Sequence, residues 1–121
     1  MPETLPEAVQ EIPGIVDASV SRGHTATPGY FNTSVMLTST FSEIDAATLA
    51  RIAEIIRDTN SYTQRSTGRI HLKIYIGDTG DCVPLEAAAQ EIALPGYASG
   101  KWTCEFFAIY DDDLPKWKTP R

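Results

Sequence analysis

The chain contains four stretches whose hydrophobic and polar positions are typical of β-strands. Residues 70–76 alternate most regularly, with isoleucine or leucine at every second position and polar side chains between them. Residues 15–21 alternate in the same way, and residues 33–40 are rich in threonine and valine, which favour extended backbone. Residues 102–110 are apolar on both faces, which predicts either a strand covered on both sides or a sheet edge buried in a subunit contact.

Three further stretches have the spacing of helices. Apolar residues recur every three or four positions over residues 46–58, which predicts the main helix of the chain. Ser42, followed three positions later by Asp45, resembles a capping box at the start of this helix. Residues 5–12 predict a short first helix, and residues 84–93 predict another, each followed by a Pro-Gly pair that stops it.

The predicted elements follow one another in the order α-β-β-α-β-α-β. Because two of the helices connect strands of one sheet, the order predicts an α+β two-layer sandwich, in which a four-stranded mixed sheet carries two main helices on one face. The 121 residues match the usual size of one domain, which we expect over residues 1–110. Residues 111–121 change from acidic to basic and contain two prolines, which predicts a flexible C-terminal tail.

Charge excludes several classes of partner. The formal net charge is −6, and the ten lysine and arginine residues are scattered along the chain. Such a surface repels phosphate groups, so we expect neither nucleic acid nor a membrane as a partner. One acidic function stays open, since a compact acidic domain can imitate nucleic acid and occupy a basic cleft on another protein.

The sequence opens on no signal-like segment and has no apolar run long enough to span a bilayer, which predicts a cytoplasmic protein. Cys82 and Cys104 are the two cysteines, too few for a zinc site. In the cytoplasm we expect two reduced thiols, and a disulfide is the alternative if the protein is exported.

Four features follow one another along the chain. They are the run IPGIVDASVS at residues 12–21, a second predicted strand, a predicted helix rich in alanine and isoleucine, and the run RIHLKIYIGD at residues 69–78. This succession resembles a unit of uncharacterised actinobacterial α/β proteins, some of them membrane-anchored, in which a Pro-Gly-Val or Pro-Gly-Ile turn enters a strand. The element order is also similar to that of ferredoxin-like and BON-type domains. These resemblances imply a binding or scaffolding domain, and they assign a role to no individual residue.

The loop that contains Asp78, Thr79, Asp81 and Cys82 is the strongest candidate site, because it lies between a predicted strand and a predicted helix. Backbone N–H groups of the helix would favour an anion and activate the thiol, whereas the two carboxylates would oppose both effects or hold a divalent cation. The structural interpretation is that Asp81 caps the helix and Cys82 packs as a small apolar residue.

Other candidates are aromatic residues and histidines. Tyr30 and Tyr62 lie in predicted loops, where such side chains either contribute to a binding surface or complete the core. His24 and His71 are the two histidines, far apart in sequence, so we expect them on the surface rather than in a metal or catalytic site. We assign no catalytic residue, metal or cofactor.

The favoured functional hypothesis is a non-enzymatic interaction domain that forms a homodimer or binds a protein partner, through a sheet face or through residues 102–110. The alternatives are a small-molecule-binding or hydrolytic enzyme that uses the loop from Asp78 to Cys82, and an acidic inhibitor that imitates nucleic acid.

Overall fold

The structure is a computed structural model that describes residues 5–24, 31–58, 69–77, 79–99, 106–110 and 113–118. Its helices and strands agree in type with the predicted order up to the third helix. In chain order they are α1 (Leu5–Gln10), β1 (Ile15–His24), β2 (Phe31–Ser39), α2 (Ala46–Asp58), β3 (Arg69–Ile76), α3 (Glu86–Glu91), β4 (Gly96–Ser99), β5 (Phe106–Tyr110) and a short 3-10 helix (Leu114–Lys116).

Within the described residues, the strands form one five-stranded mixed sheet in the order β1-β2-β3-β5-β4. β2 and β3 are parallel neighbours joined by α2, which is the connection that a parallel pair requires. The other neighbouring strands pair antiparallel. β1 and β4 are therefore the edges, and β5 lies between β3 and β4.

The helices share one hydrophobic core with one face of the sheet. On that face, alternate residues of the central strands are at most 3% exposed, and burial of each large apolar side chain stabilises the fold by about 1.5–3 kcal/mol. The strands contribute Val35, Leu37, Ile70, Leu72, Ile74, Phe107 and Ile109, and the helices contribute Val9, Leu49, Ile52, Ile56 and Ala89. A one-residue register slip would turn all these strand residues to solvent, so the core holds the register.

One prediction about the sheet needs correction, and a second had left two alternatives open. The sheet has five strands rather than four, because Gly96–Ser99 forms β4 beyond the Pro-Gly pair that we expected to be only a stop. β5 is an interior strand, so residues 106–110 are apolar because they are covered and not because they form an edge; residues 102–105 lie outside the described part. The missed strand is four residues long, too short to show alternation.

The predicted flexible tail is wrong for residues 113–118. Leu114 is 0% exposed and Trp117 is 6% exposed, so both belong to the core. Pro115 lies in the short 3-10 helix that follows β5, and the change from acidic to basic residues occurs across this helix. Apolar burial of two large side chains outweighed the local signals of disorder.

β1 also departs from its predicted alternation at its start. The register with β2 shifts between Ile15 and Asp17, which marks a β-bulge at Val16. Val16 is consequently 59% exposed, although the alternation placed it on the core face with Ala18 and Val20.

Candidate functional site

The loop after β3 is a tight return of the chain and not the start of a helix. The Gly80 N–H donates to the Ile76 carbonyl at 2.8 Å, and the Ile76 N–H donates to the Asp81 carbonyl at 2.7 Å. Gly80 has φ +74°, in the region that glycine adopts without strain. The chain then runs back beside β3, where the Val83 N–H donates to the Ile74 carbonyl at 2.8 Å.

This geometry corrects both interpretations of the loop as a helix N-terminus. α3 begins at Glu86 and its N-cap residue is Leu85, which makes no side-chain capping bond. Asp81 therefore does not cap α3. Thr79 Oγ1 accepts the Asp81 N–H at 3.2 Å, and both side chains are exposed. Thr79 and Asp81 form a surface turn.

Cys82 is disulfide-bonded, whereas we expected a reduced thiol. Cys82 also forms an antiparallel backbone bridge with Tyr75 of β3, and this bridge holds the returning segment beside the sheet. A sulfur atom in a disulfide carries no thiolate, so Cys82 in this state is not a nucleophile. The sequence has one other cysteine, Cys104, which lies outside the described residues.

Three of the predicted binding residues, Asp78, Tyr30 and Tyr62, lie outside the described residues. The alternative of a divalent cation held by Asp78 and Asp81 is therefore not tested. Within the part of the chain that the structure describes, no three His, Cys, Asp or Glu side chains come together as a metal site requires.

The sheet face away from the core brings together residues that the sequence did not single out as a group. Side chains of β2, β3 and β5 surround a cavity of about 150 Å³ there. The lining residues are Ser34, Met36, His71, Lys73 and Phe106. The sequence showed that His71 and Lys73 share the polar face of one strand, but it did not show which strands are neighbours.

The rings and the ammonium group around this cavity are in contact. The ring centroids of His71 and Phe106 are 4.8 Å apart, with 40° between the ring planes. Lys73 Nζ lies 5.8 Å from the centroid of Phe106 and 5.8 Å from that of Tyr75. The ammonium is thus positioned by two aromatic rings, an arrangement that favours a cation.

Charge is distributed unequally between the two sides of the sheet. Of the eleven carboxylate residues with described side chains, eight lie in α1, α2 and α3 or within three residues of their ends. They are Glu7, Glu11, Glu43, Asp45, Glu54, Asp58, Glu86 and Glu91. The hypothesis of acidic mimicry requires carboxylates gathered on one face, so this distribution is compatible with it, and it stays a prediction.

No protein-family model matches the chain, and comparisons with curated proteins and with solved structures also find no match. Within the described residues, no helix combines the length and apolarity that crossing a bilayer requires.

Proposed function

We propose that the chain is a non-enzymatic interaction domain that self-associates, and that two copies pair through their β1 strands. The observation that carries the proposal is the length of this sheet edge. β1 spans ten residues, whereas the other edge strand, β4, spans four. An edge strand presents backbone N–H and C=O groups to which a second strand can bond.

The backbone of β1 has groups directed away from β2. The Ala18 N–H donates to the Asp17 carboxylate at 2.9 Å, so this N–H does not belong to the β1–β2 ladder. Residues two apart in an antiparallel strand direct their N–H groups the same way, so the Val20 N–H also points to the outer edge. The side chains of Ala18 and Val20 are partly exposed, whereas their β2 partners Leu37 and Val35 are 0% exposed.

A second copy is the partner that this edge suits. Two antiparallel β1 strands related by a two-fold axis form the same contacts in both directions. With the axis at Val20, each Ser19 lies opposite Ser21 of the second copy, and both Val20 side chains become covered. The pair would join the two sheets into a continuous one.

Sedimentation equilibrium of the full chain tests the proposal. We expect a mass of twice the 13.3 kDa monomer at concentrations of about 10–100 μM. Two double variants change the exposed side chains that meet across the paired edge. One is Ser19→Lys with Ser21→Lys, and the other is Ser19→Glu with Ser21→Glu. Each double variant alone should be monomeric, because like charges lie opposite each other.

A mixture of the lysine and glutamate double variants should restore the dimer, since opposite charges then meet. The matched control is Ala47→Lys with Ala87→Lys, two exposed positions in α2 and α3 that give the same change of charge. This control should dimerise like the parent chain. A monomeric parent chain, or a mixture that does not associate, would contradict pairing through β1.

We also propose that the domain works in an oxidising compartment rather than in the cytoplasm. The disulfide at Cys82 supports this, because the cytoplasm keeps thiols reduced. Alkylation of intact cells before lysis tests it. We expect that Cys82 is not alkylated in intact cells and that it reacts only after its disulfide has been reduced. Direct alkylation of Cys82 without a reductant would refute the proposal.

A further inference from the structure

The cavity on the outer face of the sheet is built by three adjacent strands. Ser34 pairs with His71 and Met36 pairs with Lys73 across the parallel β2–β3 ladder. Leu72 pairs with Phe107, which places the preceding residue Phe106 beside Lys73. The backbone ladders thus set the position of each lining residue, as expected for a site on rigid elements.

The cavity combines one positive charge with apolar walls. Lys73 Nζ lies 5.8 Å from the centroids of two aromatic rings, and the Lys73 residue is partly buried. No carboxylate of the described residues lies within ion-pair distance of Lys73. An ammonium group that is partly desolvated in this way attracts an anion more strongly than one in bulk water.

We propose that this cavity binds a small organic monocarboxylate. The carboxylate meets the Lys73 ammonium and the Ser34 hydroxyl, and the apolar body of the ligand packs against Phe106 and Met36. One ammonium matches one negative charge, whereas phosphate groups are usually held by several cationic or N–H donors. The net charge of −6 further disfavours a multiply charged anion.

Titration of the isotope-labelled full chain with benzoate, followed by amide chemical shifts, tests the proposal. We expect saturable shifts in β2, β3 and β5, with a Kd of about 1 mM for a ligand of this size. Benzamide has the same shape without the charge, and it should bind at least about tenfold more weakly. Absence of saturable shifts, equal binding of benzamide, or equally tight binding of inorganic phosphate would each overturn the proposal.

Two lysine variants distinguish the effect of the cavity on benzoate affinity from the effect of the protein's net charge. Lys73→Gln should weaken benzoate binding at least about tenfold. Lys116→Gln is the control, because this exposed lysine of the 3-10 helix undergoes the same change of charge. It should leave the Kd unchanged, and an equal loss in both variants would contradict the proposal.

Phe106→Leu tests the apolar wall and should weaken benzoate more than acetate, which has no ring to place against it. An equal effect on the two ligands would contradict the assigned role of Phe106. Amide spectra of each variant show whether it is folded before binding is compared. The described cavity residues lie on β2, β3 and β5, but Ser19 and Ser21 of β1 pair with Met36 and Ser34, so lysines at these two positions would add positive charge beside the cavity. Benzoate binding is therefore compared among the parent chain, Lys73→Gln and Lys116→Gln, which all retain both serines.

Discussion

Arg57 and Trp117 contact each other in two ways. Arg57 Nη1 donates to the Trp117 carbonyl oxygen at 2.9 Å, and the guanidinium carbon lies 5.6 Å from the centroid of the Trp117 ring. The Trp117 Nε1–H in turn donates to the Ile92 carbonyl at 3.0 Å. One tryptophan of the C-terminal segment therefore connects the last turn of α2 with the end of α3.

Replacement of Trp117 should strongly destabilise the domain. Trp117→Ala is expected to lower the free energy of unfolding by about 3–5 kcal/mol, because it leaves a cavity in the core. Trp117→Phe should cost less, mainly through the Ile92 carbonyl that loses its donor. Urea denaturation followed by far-UV circular dichroism measures both. Lys118→Ala, at an exposed neighbour, is the control and should change the free energy by less than about 0.5 kcal/mol.

Reduction of the disulfide at Cys82 should lower the free energy of unfolding by about 3 kcal/mol, since the crosslink restricts the unfolded chain. Urea denaturation with and without a phosphine reductant measures the change. The variant Cys82→Ser with Cys104→Ser should resemble the reduced protein and should not respond to the reductant. Identical curves for the oxidised and reduced parent chain would contradict a stabilising disulfide.

Asp45 is the residue that caps α2, whereas the sequence pattern suggested Ser42. Its Oδ1 accepts the Thr48 N–H at 2.7 Å. Hydrogen bonds from the Thr48 side chain and then from its backbone lower the pKa of Asp45 below 3.8. The carboxylate is therefore the form that stabilises the helix, as in other N-caps.

Asp45→Ala should lower the urea midpoint at neutral pH, and Glu43→Ala, an exposed neighbouring carboxylate, should not. A group whose pKa is lower in the folded state stabilises above its unfolded pKa and loses this effect as pH falls through the folded value. Because the pKa of Asp45 is lowered in the folded state, the difference between the parent chain and Asp45→Ala should shrink as the pH falls and disappear once this carboxylate is protonated in the folded protein. A difference that persists unchanged at pH 2 would contradict the capping role.

Gly96 is a position where only glycine fits. Its φ is +149°, and a Cβ would overlap the Ala108 carbonyl oxygen of the neighbouring strand. Gly96→Ala should cost several kcal/mol, about 3 or more, or prevent folding. Gly80→Ala is the matched comparison, with φ +74° and nothing within 4 Å, and should cost about 1 kcal/mol. Urea denaturation that ranks the two variants in the opposite order would refute this.

Ala93 ends α3 in a left-handed conformation, with φ +54°. The Leu94 N–H donates to the Ala89 carbonyl at 2.9 Å, the bond that accompanies such a helix end. Ala93→Gly should raise the free energy of unfolding by about 0.5–1 kcal/mol by removing backbone strain. Thermal unfolding measures the gain, and Ala87→Gly, within the same helix, should have the opposite sign.

Local periodicity was sufficient to predict the long elements. The alternation in β3 and the helical spacing in α2 reflect burial on one side of each element. The apolar positions in the sequence therefore show which side is buried. The bulge at Val16, the short strand β4 and the burial of Trp117 have no such signature. Each depends on a neighbour distant in sequence, so no local pattern reveals it.

The same distinction holds for the candidate sites. The amino-acid order alone establishes the net negative charge and the presence of two cysteines, and it predicts the α+β class and the face on which His71 and Lys73 lie. Folding determines that β3 lies between β2 and β5, which brings Phe106 and Met36 to Lys73, and it makes β1 the longer of the two edge strands of the described sheet. Strand adjacency depends on contacts between residues that are distant in sequence. It is determined by the packing of the whole core and not by any single segment.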